Sequence, residues 1–108
     1  MKKLAQTAVT TGSGTLVYTV PTGYAADVVD IAISNTTTSS ATFTLHIVDS
    51  GGTPTTANQL FPAVAVTGST IVQWSGLQTM NSGDFIQAIG SVSGINVRIS
   101  GDERRVGI

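Results

Sequence analysis

The chain has one histidine and no cysteine, which narrows the chemistry open to it from the start. A nucleophilic triad would need His46 beside a serine and an acid, and Asp30 and Asp49 are the acids within reach along the chain. Asp49 simply ends a strand-like run, and no Gly-x-Ser-x-Gly turn occurs to expose a serine. His46 falls on the polar side of an alternating segment, so it is expected as a surface histidine on a sheet. A pair of carboxylates for glycoside hydrolysis would have to come from Asp27, Asp30, Asp49, Asp84, Asp102 and Glu103. Asp27 and Asp84 each follow a turn, where an aspartate usually accepts from nearby backbone amides. A lone histidine without cysteine makes no ordinary zinc set, and no run of alternating acids suggests a calcium loop. Gly12-Ser13-Gly14 and Gly51-Gly52 lack the following helix and lysine of a phosphate cradle. The expectation is a protein without catalytic residues, metal or cofactor.

Two residue sets remain that could meet a partner. Tyr18, Tyr24 and Trp74 would make a stacking platform for a sugar ring if they shared an exposed face; otherwise Trp74 packs at the edge of the core, with its indole N–H bonded to a loop carbonyl. The cations Lys2, Lys3, Arg104 and Arg105 sit near the two chain ends, beside the apolar Leu4 and Ile108. These six residues and Trp74 are the candidate partner contacts. Net charge is −1, so there is no basic footprint for nucleic acid. Charged residues make up only 10% of the chain, against about 25% in an average globular protein. Such a polar, weakly charged surface repels neighbours poorly and suits packing against copies of itself or a large partner. Met1-Lys2-Lys3 opens like a secretory signal, but Gln6 and Thr7 break the apolar run that should follow. No window approaches the ~18 apolar residues of a membrane span. Synthesis in the cytoplasm, with no readable export signal, is expected.

The elements that must hold these residues read as strands. Residues 26–49 form the organising stretch, two alternating segments joined by Asn35-Thr36-Thr37-Thr38-Ser39-Ser40. Val29, Ile31 and Ile33 share one face of the first; Phe43, Leu45 and Ile47 share one face of the second. The pair is expected as an antiparallel hairpin with one oily face. Residues 1–14 read as a strand or a loosely held arm, and residues 15–20 as a strand stopped by Pro21-Thr22-Gly23. Residues 50–56 read as an exposed loop. Pro62 makes residues 57–66 an edge strand or a connector. Residues 70–74 form a short strand, and 75–83 a loop with Leu77 and Met80 tucked inward. A closing hairpin pairs residues 84–90 with 95–101, with Ile95, Val97 and Ile99 inward, and residues 102–108 trail as a charged tail. One domain follows, spanning residues 15–101: an all-β antiparallel sandwich of seven to eight short strands, jelly-roll or immunoglobulin-like.

Several of these pieces together resemble a known group. They are residues 18–24 (Tyr-Thr-Val-Pro-Thr-Gly-Tyr), 34–37 (Ser-Asn-Thr-Thr), 45–48 (Leu-His-Ile-Val), 49–53 (Asp-Ser-Gly-Gly-Thr), 77–88 with Gly-Asp-Phe-Ile-Gln-Ala, and 95–101 (Ile-Asn-Val-Arg-Ile-Ser-Gly). Over residues 15–101 the chain resembles small β-sandwich virion proteins of tailed bacteriophages. The resemblance implies a structural role: a capsid decoration, or cement, protein that clamps the major capsid protein and copies of itself as a dimer or trimer. It also covers tail, baseplate and fibre modules. It implies a place in the virion and no nucleic-acid or membrane partner. It carries over no site residues, because the shared pieces are turns and core positions.

Overall fold

The computed structural model describes residues 1–12 and 14–106. The chain forms β1 (Lys2–Val9), β2 (Thr15–Thr19), β3 (Tyr24–Asn35), β4 (Ala41–Val48), β5 (Gln59–Val66), β6 (Ile71–Met80), β7 (Phe85–Gly90) and β8 (Ile95–Arg105). A 3-10 turn (Thr56–Asn58) precedes β5. The strands build two four-stranded antiparallel sheets, ordered β1-β8-β3-β6 and β2-β7-β4-β5. That order is a jelly roll, with successive strands passing back and forth between the sheets. Of the two sandwich types expected from the sequence, the topology selects this one.

Both expected hairpins are corrected by it. β3 belongs to the first sheet and β4 to the second; β7 and β8 are likewise divided. The Thr/Ser linker after β3 is therefore a crossover between sheets. Asn35, buried at its start, holds it: Nδ2 donates to the carbonyls of Ser39 (2.8 Å) and Val66 (3.0 Å), while Oδ1 accepts from the Thr37 amide (2.9 Å) and hydroxyl (2.7 Å). A buried amide with all four positions used stabilises this corner, since each such bond contributes about 1 kcal/mol net.

The core lies between the sheets. Ile31, Ile33, Ile95, Val97 and Ile99 enter it from the first sheet; Phe43, Leu45, Ile86 and Ala88 enter from the second. Phe43 meets Phe61 edge to face, with ring centroids 5.6 Å apart. The expected inward faces of β4 and β8 hold. In β3 the phase slips: Val28 is buried, and Val29 is the extra residue of a bulge between Val28 and Asp30. A matching register shift falls at Leu4 in β1, and another occurs where Gly76 and Leu77 of β6 face Val29. Beside this row of bulges, Gly101 lets the Asp27 carbonyl approach so closely that a Cβ would collide with its oxygen.

Two stretches expected to be irregular are strand. Residues 75–80 extend β6, so Met80 is indeed buried, but Leu77 is 63% exposed on the bulge. Asp102–Arg105, expected as a tail, continue β8 beside Tyr24–Asp27. At the other terminus the strand alternative holds, with β1 pairing along β8. β5 is an edge strand, with Pro62 at a bulge beside the positive-φ Ala63.

Candidate interaction surfaces

Antiparallel pairing of β1 with β8 brings the two sequence-distant basic clusters to one end of the first sheet, Lys2 lying opposite Gly101. Lys2, Lys3, Leu4, Arg104 and Arg105 thus share one end of an elongated molecule measuring 49 × 27 × 19 Å. Ile108 lies outside the described residues. Three carboxylates share that end, and each takes a cation: Lys2 Nζ lies 2.8 Å from Glu103, Arg104 lies 2.6 Å from Asp27, and the Met1 amino group lies 2.9 Å from Asp102. Lys3 and Arg105 make no ion pair among the described residues, which leaves this end with free positive charge.

Glu103 is the centre of the cluster, its side chain only 15% exposed. It points inward on β8 and also accepts from the Tyr18 hydroxyl, which reaches across from β2 of the other sheet. The hydrogen bonds from Lys2 and then Tyr18 hold its carboxyl below the usual glutamate range. Burial, followed by the adjacent Glu103 charge and hydrogen bond, pushes the Tyr18 phenol above its ordinary value. One half-buried carboxylate therefore ties β1, β2 and β8 together. Sequence reading did not find this triad, because 85 positions separate Tyr18 from Glu103 and no local motif links them.

The aromatics do not form a platform. Trp74 sits opposite Ile31 on β6 and packs inward against the core edge, its indole ring lying over Gly76. Tyr24 is opposite Arg105, seven residues along β3 from Ile31, which puts it roughly 20 Å away at strand rise. Tyr18 and Tyr24 are also half-buried against the core.

His46 corrects the surface expectation. It does face away from the sandwich interior, but the segment before β5 folds over it and leaves it 5% exposed. Its Nδ1 lies 2.8 Å from Asn58 Oδ1. Asn58 also accepts from the Thr55 amide and donates to the Thr53 carbonyl, so it knits the covering loop. Asp30, the acid nearest to a triad role, accepts from Gln73 (2.7 Å) and Ser75 (3.1 Å) on the outer face of the other sheet. The whole sandwich thus separates it from His46. Asp84 behaves as a turn aspartate, accepting from the amides of Ser50 and Asn81, whereas Asp27 serves Arg104. Among the described residues no three His, Cys, Asp or Glu side chains gather around a possible metal position.

The outer face of the first sheet carries its charges mainly at the basic end, where Lys3, Asp27, Asp102 and Arg104 lie outward; beyond that end it is mostly polar. Its rows read Gln6, Ala8, Asn96, Ser100, Ala32, Ser34, Gln73 and Ser75, interrupted by Arg98 and Asp30. Gln6, Ala32, Ser34, Asn96 and Arg98 line a shallow depression on this face. Comparison with protein-family models, with curated proteins and with solved structures found no match.

Proposed function

We propose that this chain is a non-enzymatic structural protein of a bacteriophage particle, foremost a decoration protein that binds and stabilises the assembled shell of the major capsid protein. The observation that carries this reading is the division of its surface. Four basic side chains gather at one end, while the adjoining sheet face is mostly polar, with Arg98 and Asp30 as its charges. A charged end steers approach and fixes orientation; a polar face with few charges permits close seating with little ion desolvation. The resemblance of residues 15–101 to small virion proteins supports the same reading, and the jelly roll is an architecture used by viral shell domains among many others. A sugar-binding role loses its sequence argument, because Trp74 and the two tyrosines share no exposed face.

The test is copy number in purified particles, by quantitative mass spectrometry against the shell subunit. Hundreds of copies are expected. A handful, in multiples of three or six, would move the protein to the tail, baseplate or fibre, and absence would overturn the reading. The contact itself is probed with Lys3→Glu/Arg105→Glu, which leaves the Lys2–Glu103 and Arg104–Asp27 pairs intact. Attachment should weaken at least tenfold at low salt, and the difference should shrink as salt rises.

A further inference from the structure

Four strands border the two sheets: β1 and β6 on the first, β2 and β5 on the second. An edge strand offers every second N–H and C=O to the outside, and proteins that remain monomeric obstruct such edges with charge, proline, bulges or brevity. β1 carries Lys2, Lys3 and a bulge; β2 has only five residues and a bulge; β5 carries Pro62 and two register shifts. β6 differs from all three. Its ten residues, IVQWSGLQTM, contain no charge and no proline, and its bulge at Gly76 and Leu77 leaves Ile71–Ser75 regular. Ile71 on this edge is 66% exposed, and Val72 and Trp74 are only half-covered where the core opens.

We infer that β6 is a self-association edge, at which a second copy of this chain adds its own β6 in antiparallel register centred on Gln73. A two-fold axis there sets Gln73 against Gln73 of the second copy, and Val72 against its Trp74. The Val72–Trp74 contact is formed twice, a β-branched residue packed on an aromatic ring. The two half-covered side chains then close each other's core edge, and the first sheets join into one of eight strands. A second copy fits better than a foreign strand because the edge is self-complementary: with no charge between Ile71 and Met80, reversing the strand brings no like charges together. Pro62 on the neighbouring edge, β5, keeps the second sheets from pairing as well. This inference does not rest on the virion reading, and either can fail alone.

Sedimentation velocity over about 1 µM to 1 mM reads the association, with the 11.0 kDa chain as the monomer reference. The unaltered protein is expected to become dimeric within that range, with Trp74 emission shifting to the blue as it does so. Gln73→Lys places two like charges opposite each other across the axis, yet within one copy the new ammonium can replace the Gln73 Nε2 donor beside Asp30. It should weaken dimerisation at least tenfold with an unchanged circular dichroism spectrum. Gln6→Lys, on the same outer face but at the β1 edge, should leave the dimer intact. A monomer throughout the range overturns the inference, and so does a dimer that survives Gln73→Lys. If Gln73→Lys does not fold, the emission of the unaltered protein decides: Trp74 emission independent of concentration in a dimer places the interface elsewhere.

Discussion

At the scale of single residues, several of the titratable groups brace the fold. Glu103 is the clearest case, because its carboxylate is the common acceptor of Lys2 and Tyr18. A carboxyl held below its ordinary value of 4.5 adds stability that is fully present above that value and is lost as pH falls through the lowered one. The Tyr18 phenol, held above its ordinary value of 10.0, adds stability that is present below pH 10 and lost as pH rises beyond it. Glu103→Gln should therefore lower the melting temperature at pH 7 and flatten its fall below pH 4.5, as read by thermal unfolding from pH 2 to 7. An unchanged acid limb would mean that other carboxylates govern it. None of this was legible in the sequence, where Glu103 looked like part of a solvated tail. His46 shows the opposite limit. Alternation placed it correctly on the outer side of β4, but its burial depends on a loop anchored by Asn58, twelve residues away.

At the scale of elements, the strands follow from their own residues, and their ends do not. Alternation located the cores of β3, β4 and β8 because a period of two survives wherever one face is buried. It failed at Val29 and Leu77, since a bulge shifts the phase and only the facing strand determines where a bulge falls. β6 and β8 outrun their apolar runs because residues such as Gln78 and Asp102 are carried in the ladder by β3. Gly101 is the hinge point of this arrangement. Its lack of a side chain admits the Asp27 carbonyl, and a methyl group there would collide with backbone rather than with a movable side chain. Gly101→Ala should cost more than about 3 kcal/mol, because β3 and β8 must separate. Ser100→Ala, whose side chain points outward, should cost less than about 0.5 kcal/mol. Urea midpoints of the two variants check the contrast, and near-equal values would refute the close approach.

At the scale of the whole molecule, the jelly roll makes almost every strand pairing non-local. Only β4 and β5 are both consecutive and paired; β1 finds β8, and β2 finds β7. Loops must close across most of the chain before these contacts form, so folding should take milliseconds to seconds, slower than in a helical bundle of equal length. Stopped-flow refolding monitored by Trp74 fluorescence reads this directly, and a microsecond rate would mean that local hairpins form first. The same topology gathers Lys2, Lys3, Arg104 and Arg105 at one end and exposes β6 as the unobstructed edge. The two proposed contacts thus arise from chain routing rather than from any local motif.

By itself the sequence determined an all-β sandwich of about eight strands, the apolar side of its main strands, and the scarcity of groups able to do chemistry. Those properties are local: they depend on alternation, on turn residues such as Pro21 and Gly23, and on composition. Tertiary structure alone decided which strands pair, that residues 35–40 cross between sheets, that His46 is covered, and that Glu103 meets Tyr18. The physical reason is that an apolar strand face specifies only that it must be covered. Which strand covers it depends on the combined packing of all eight, and no single stretch of the chain contains that information.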